Sequence, residues 1–423
     1  MIKYFSIDNF CSIKEKIEIS FEASKIDDET SYYNYFPYKN SNIHKVLAFY
    51  GMNASGKSTI VKALAALQRL VAPGNVLPYM PFEFDPISKT SPIKMSIEFA
   101  FNNNENSPIY KYYVSYNNKF ILEEKFEKMT SQKPSLLYER VTENGSVDIK
   151  IGSIAQDLAL LEVMKRTVLP NVTFLSMFQN FKIEDFYQGY MFFAERFVNI
   201  SPEVTRMDDL IPTSKILHDE NFRNFALSLL KAADFDIDKL VVNKAKMRSV
   251  YAGIPGVITE KDSLFFVHKG DVSSGSIEFI NESLGTKKIT VLAEQLYPVL
   301  AKSSVMVIDE LESSLHPELT RLIVKCFLDE SINPKNSQLI FTSHETSLLD
   351  LGLLRRDEIN FVYKDEHDCS TYIRSLKDFH PRKSENVGKS YIAGRYMTSP
   401  EVKDYFLSKE GANWWIECLK VNV

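Results

Sequence analysis

Lys57 and Ser58 close the run Gly51-Met52-Asn53-Ala54-Ser55-Gly56-Lys57-Ser58-Thr59, whose residue types and spacing suit it to gripping a phosphate. Such a loop works by anion binding at a helix N-terminus, where unpaired backbone N–H groups and the positive end of the helix dipole converge. Gly51, Asn53, Ala54, Ser55, Gly56 and Thr59 would supply the backbone cradle, with Gly51 and Gly56 at positive φ. Lys57 would reach the β- and γ-phosphates and Ser58 would hold Mg²⁺ through its hydroxyl, which makes ATP with Mg²⁺ the expected ligand. Far downstream, Asp309-Glu310 ends an apolar β-branched run. There Asp309 would bind the same metal, directly or through water, and Glu310 would polarise the water that attacks the γ-phosphate. Alone, that pair reads equally well as a helix N-cap and a solvated neighbour. Lys57 upstream turns the reading toward a nucleotide site.

These groups need elements to aim them. Residues 46–50 read as a buried strand entering the loop, and residues 59–67 as a helix leaving it. Residues 304–308 have the apolar character of an interior parallel strand, whose C-terminal edge is where ligands bind in open α/β sheets. A further apolar strand, residues 337–343, runs into His344. Lys57 and Asp309 are too far apart in sequence for a minimal domain, so the expected fold is α/β with its head split by an insertion. Residues 92–151 alternate apolar and polar, with Asn102-Asn103-Asn104 and Asn117-Asn118 as turn signals, which predicts an antiparallel β lobe. Residues 153–236 change to helical periodicity, over 154–169 and again over 218–233. The expected division is 1–152 for the first half of the head with its β lobe, and 153–236 for a helical insertion. The second half of the head follows at 237–378, and a helical tail at 379–423. The aromatic stretch from Phe174 to Phe197 reads as core or subunit interface ahead of a base-stacking platform.

With Leu311-Glu312-Ser313-Ser314-Leu315-His316-Pro317-Glu318-Leu319 after the acidic pair and His344 ending the next strand, the chain resembles the ABC-type ATPases, which include the SMC and RecF-like heads. The resemblance implies a split ABC-type P-loop head, a D-loop after Glu310, and His344 as a switch touching the γ-phosphate. Asn281-Glu282-Ser283-Leu284-Gly285-Thr286-Lys287-Lys288 is similar to the degenerate signature of that group. By that analogy Ser283 and Gly285 would cap the γ-phosphate of a nucleotide bound to another subunit, so the resemblance implies a homodimer or higher homo-oligomer with ATP at the interface. The bland alternative for Ser283 and Gly285 is an N-cap and turn. The opening Ile2-Lys3-Tyr4-Phe5-Ser6-Ile7-Asp8-Asn9-Phe10-Cys11-Ser12-Ile13-Lys14-Glu15 and the ending Lys389-Ser390-Tyr391-Ile392-Ala393-Gly394-Arg395-Tyr396 narrow it further. Both are similar to ABC-like AAA ATPases of bacterial abortive-infection and anti-phage loci, such as the ATPase subunits of RloA/RloB-type pairs and of the PARIS system. That implies a separately encoded toxic effector as partner and a phage protein or DNA as trigger. One departure is the Q-loop: Gln68 comes too soon, and Met80-Pro81-Phe82-Glu83-Phe84-Asp85 carries no glutamine.

Composition narrows the classes. At 44% hydrophobic and 25% charged residues the chain reads as an ordinary soluble globular protein. No stretch approaches the ~20 apolar residues of a membrane span, and no signal peptide is evident. Cys11, Cys326, Cys369 and Cys418 are scattered, which suits reduced thiols in a cytoplasmic protein. A net charge of −5 offers no global basic field for nucleic acid. Lys383, Lys389 and Arg395 could form a local patch or simply a solvated face. An alternative is therefore a DNA repair or recombination ATPase that clamps DNA. A nuclease fits less well, because the residues after His344 lack a D-x-D cluster for two metals.

Overall fold

The computed structural model describes residues 1–26, 30, 33–72, 77–130, 133–200, 214–233, 236–251, 254–269, 273–313 and 315–396. The chain opens with β1 (Ile2–Asp8), β2 (Ile17–Ser20), β3 (Tyr35–Tyr38), β4 (Ser41–His44) and β5 (Val46–Tyr50), then α1 (Lys57–Val71). Next come β6 (Ile93–Phe99), β7 (Ile109–Tyr116), β8 (Ile121–Met129), β9 (Pro134–Glu143) and β10 (Ser146–Ile151). The middle holds α2 (Leu158–Met164), α3 (Glu184–Met191), β11 (Phe197–Ile200), α4 (Ser214–His218) and α5 (Glu220–Ala232). It is followed by β12 (Lys239–Tyr251), β13 (Ile254–Lys269), β14 (Ser274–Glu278), α6 (Leu284–Ala301) and β15 (Val305–Ile308). The last elements are α7 (Pro317–Leu328), β16 (Gln338–Ser343), β17 (Ile359–Lys364), β18 (Thr371–Ser375) and α8 (Val387–Ile392). Among these described residues no helix is long and apolar enough to cross a membrane.

Two sheets dominate an α/β fold. A six-stranded sheet runs β11-β15-β16-β5-β17-β18, parallel except for its last pair. A seven-stranded antiparallel sheet runs β10-β9-β8-β7-β6-β1-β2. The inner parallel strands β5, β15 and β16 are buried at every position because both faces are covered. In β5, Leu47 and Phe49 pack with α1 and the antiparallel sheet, whereas Val46, Ala48 and Tyr50 pack into the helical layer of α5, α6 and α7. Gln338 rivets the two sheets together: its Oε1 accepts from Ile2 N at 2.6 Å while its Nε2 donates to the Ile2 and His44 carbonyls.

The antiparallel lobe forms over the alternating segment, with Asn117 closing one turn by accepting from the Lys119 and Phe120 amides. Phe174, Phe178, Phe186, Phe192 and Phe193 are buried in its core; Phe99 and Phe192 stack 4.2 Å apart. At the lobe's centre Arg140 and Glu124 are fully buried, 3.5 Å apart. Glu124 also accepts from the Tyr112 and Tyr138 hydroxyls and the Phe174 amide, which satisfies the charge in place of water.

The segment expected to be helical differs in two respects. It contributes a strand, β11, to the edge of the parallel sheet, in register with β15. Its first helix is also shorter than the periodicity suggests, because Asp157 (φ 52°) sets the chain in a left-handed conformation just before Leu158. Of the apolar residues counted toward that helix, Leu161 and Met164 are buried and Leu158 and Val163 are exposed. Between residues 239 and 278 lies a three-stranded sheet, β12-β13-β14, absent from the sequence reading. In the expected C-terminal tail α8 is short, and residues 397–423, with Cys418, lie outside the described residues.

A buried charge cluster joins β4 to the turn before β17. His44 Nε2 lies 3.3 Å from Asp357 Oδ2 and its Nδ1 lies 3.5 Å from Glu358 Oε1. Burial alone would depress the imidazole, but the two carboxylates outweigh it and push its pKa up to about 9. A raised histidine pKa contributes stability that is complete below the unfolded value near ~6.5 and lost as pH rises through the folded value. We therefore expect the melting temperature to fall between pH 7.5 and 10. His44→Gln should cost about 3 kcal/mol near neutrality and flatten that dependence. A variant with the parental pH profile would refute the assignment.

Candidate nucleotide site

The register of the parallel sheet assembles the site. Ile308 pairs with Phe341 and Ser343 with Tyr50, so one residue further on Asp309 lies beside Thr342 and His344 beside Gly51. All lie at the carboxyl edge of the sheet, the position used for ligands in open α/β folds. The first turn of α1 has no side-chain cap and no acidic residue, so nothing within the helix neutralises its positive end.

The glycines differ from expectation. Gly56 does take a left-handed conformation, φ 107°, but Gly51 does not. Gly51 is needed for space: a Cβ there would sit 2.2 Å from the Val362 carbonyl oxygen of β17. The second left-handed residue of the loop is Ala54, φ 61°. Asn53 and Ala54 are exposed, Ser55 and Thr59 are buried.

Lys57 is 6% exposed and donates to the Gly51 and Met52 carbonyls, 2.9 Å each. Burial pulls its ammonium down to about 8, against the opposing pull of Asp309, Glu310 and Glu312. Ser58 Oγ donates to Asp309 Oδ1 at 3.2 Å, and Thr342 Oγ1 donates to the same oxygen at 2.6 Å. Thr342 Oγ1 also accepts from the Glu310 amide at 2.8 Å. Glu310 is an exposed carboxylate on a left-handed residue, φ 52°, a conformation that costs about 1 kcal/mol outside glycine. His344 is half-buried, and its backbone N–H donates to Glu312 Oε1 at 2.5 Å. Burial, then the Lys57 charge, lowers the His344 pKa, which favours the neutral ring.

The residues present fit a magnesium nucleotide. Ser55 Oγ and Glu312 Oε2 are buried at the site with no hydrogen-bond partner among the described residues. Ser58 and Asp309 offer the hard oxygen donors that Mg²⁺ prefers.

Ser283 and Gly285 are not brought to this cluster. Ser283 is the N-cap of α6, its Oγ accepting from the Thr286 amide at 3.1 Å, and α6 packs on α5 while α1 packs on β16 and β11. Of the loop that follows Glu310, Ser314 lies outside the described residues. Gln68 serves the core, donating to the Phe193 and Phe197 carbonyls. Sequence reasoning assigned no role in the site to Thr342, Glu312, Ser12 or Thr371. A hydroxyl two positions before His344 and a third carboxylate two positions after Asp-Glu were the available signals for the first pair. Ser12 lies in the opening stretch but nothing there points to the phosphate loop, and Thr371 carries no signal, since only the fold brings them to it. In the basic cluster, Arg395 pairs with Glu385 at 2.8 Å.

A family profile described as "AAA domain, putative AbiEii toxin, Type IV TA system" matches residues 46–350. No curated protein matches the chain. Similar solved structures include an SMC head bound to the C-winged helix domain of ScpA, at 14% identity and TM-score 0.45, covering 88% of this chain and 97% of that one. An Smc head with an extended coiled coil, bound to the C-terminal domain of ScpA from Pyrococcus furiosus, is 13% identical with TM-score 0.35, covering 88% and 96%. CbiO1 from Clostridium perfringens, part of the ABC transporter complex CbiONQ, is 12% identical with TM-score 0.34, covering 94% and 98%.

Proposed function

The chain belongs to the family described as an AAA domain, putative AbiEii toxin, Type IV TA system, and from that premise we propose that it binds and hydrolyses ATP as an ABC-type ATPase controlling a bacterial defence response. The observation that carries the nucleotide reading is the 3.2 Å contact between Ser58 Oγ and Asp309 Oδ1 beside buried Lys57. It joins a hydroxyl and a carboxylate from the two halves of the head at one end of an uncapped helix.

In this reading the amides of the loop and the Lys57 ammonium bind the phosphates, and Ser58 and Asp309 hold Mg²⁺. The ion, when bound, offsets phosphate charge. Thr342 fixes the Asp309 carboxylate, and Glu310 accepts the proton of the attacking water on its own carboxylate. His344, neutral, would hydrogen-bond the γ-phosphate side. Among the described residues the Ser283 and Gly285 turn shares no hydrogen bond with that cluster, and in this reading it would serve the nucleotide of a second head. The exposure of Ile280 (64%) and Leu284 (40%) beside it supports an apolar contact there. ATP binding and pairing are then linked equilibria.

The defence role is supported by the family description and by the resemblance of the first hairpin and the Lys389–Tyr396 stretch to abortive-infection ATPases of the RloA and PARIS type. In such a role the chain is a sensor and scaffold, ATP sets its assembly state, and a separate effector is released or restrained. Turnover is expected to be slow. The test is phosphate release and mass by sedimentation, with and without Mg-ATP. We expect chelator-sensitive hydrolysis and an ATP-dependent doubling of mass; a chain that neither binds ATP nor changes mass with it contradicts the reading.

A further inference from the structure

We propose that Ser12 and Thr371 are positioning residues for the phosphate loop, and that the hydroxyl chain they form with Thr59 sets the loop's affinity for a nucleoside triphosphate. The inference rests on the nucleotide reading above and assigns a role to two residues outside the phosphate loop and the acidic pair.

The geometry is a clasp closed from outside the loop. Ser12 follows β1, and Thr371 opens β18 at the other end of the chain. Thr371 N donates to Ser12 O at 2.8 Å, Thr371 Oγ1 lies 2.8 Å from Ser12 Oγ, and Ser12 Oγ lies 2.8 Å from Thr59 Oγ1. Thr371 Oγ1 also donates to the Ser55 carbonyl at 3.0 Å. That last bond has a directional consequence. In a planar trans peptide the C=O and the following N–H point opposite ways. Holding Ser55 O toward Thr371 therefore turns Gly56 N–H away from Thr371. Gly56 reports the same closeness, since a Cβ there would meet Thr371 Oγ1 at 2.1 Å and Ser12 Oγ at 2.9 Å. The clasp thus spends the volume where a side chain would stand in order to aim an amide. Thr59, held by Ser12, sits in the first turn of α1, whose amides complete the cradle.

The same turn reaches the segment that lacks the expected glutamine. Cys11 N donates to Met80 O at 2.7 Å. Buried Asn9 donates to the Ser88 and Ser91 carbonyls and accepts from Phe82 N. The phosphate loop is therefore tied through Ser12 to residues 80–91 by backbone and amide bonds.

The experiment uses the full chain with a fluorescent ATP analogue for binding and phosphate release for turnover. Ser12→Ala and Thr371→Val should each weaken nucleotide binding about ten-fold, the worth of one or two buried hydrogen bonds. KM should rise by a similar factor while kcat stays within about two-fold, because the clasp aims groups that bind substrate before and during reaction alike. The double variant should be little worse than either single one, since both cut one chain. Thr371→Ser keeps the hydroxyl and should bind within about two-fold of the parent. Parental affinity in folded Thr371→Val or Ser12→Ala overturns the proposal, as does a fall in kcat at constant KM. Should Thr371→Val fail to fold, Ser12→Ala against Thr371→Ser decides alone. Lys57→Ala is the control: a parent that binds no better than it removes the nucleotide reading, whereas a binding parent with unaffected clasp variants removes only the clasp.

Discussion

Lys57→Ala is expected to abolish measurable ATP binding. Lys57 is almost entirely buried, its ammonium held over the loop by the Gly51 and Met52 carbonyls, and it is the one cation of the loop from Gly51 to Thr59. Truncating one partner of a buried charged contact costs about 2–5 kcal/mol, or roughly 30- to 5,000-fold in affinity. The unliganded fold should not suffer. Because burial lowers the Lys57 pKa to about 8, folding disfavours its charge, and the variant should melt no lower than the parent. Isothermal titration with ATP and a melting curve on the same sample check both halves. Parental affinity would discard the loop as the phosphate site; a collapsed melt would show that Lys57 holds structure instead.

Glu310→Gln is expected to separate binding from chemistry. The substitution keeps the side-chain shape, the left-handed backbone and the amide bond to Thr342, and removes the group that can accept a proton. General-base catalysis supplies about 10²–10⁴-fold, so turnover should fall by that order while ATP affinity stays within a few-fold. If pairing of heads follows ATP occupancy, the variant should accumulate as the paired form in Mg-ATP. Single-turnover phosphate release together with sedimentation reads both effects. Undiminished turnover would remove Glu310 from the reaction and leave Asp309 and His344 to be tested in its place.

Much of this site was legible because it is made of local patterns. The phosphate loop is a strand, a glycine-bearing turn and a helix within one stretch of chain, and each part carries its own signal. The acidic pair ends a strand whose apolar run already marked it as interior to a parallel sheet, and His344 ends a second hydrophobic strand. The alternation of residues 92–151 gave the antiparallel lobe for the same reason, since a period of two can bury only one face. Elements whose signals depend on partners were lost. β11 is only four residues long and becomes a strand by pairing with β15; its own residues sit among helices. The helical pattern after residue 153 overran because a left-handed Asp157 interrupts it, and aspartate tolerates that conformation without announcing it. Gly51 was expected to need a positive φ, and its actual constraint, the Val362 carbonyl, belongs to a strand far along the chain.

By itself the sequence determined which residues make the candidate phosphate loop and which strands carry it, because phosphate binding needs backbone amides, a lysine and a hydroxyl at fixed spacing in one turn. Only the tertiary structure decided how that turn is held. Thr342 on Asp309, Glu312 beneath His344, and Ser12 and Thr371 around Gly56 come from separate strands whose juxtaposition is set by sheet order and register. Such contacts leave no periodic trace in a chain. They depend on hydrogen bonds across space, and those exist only after the hydrophobic strands have packed.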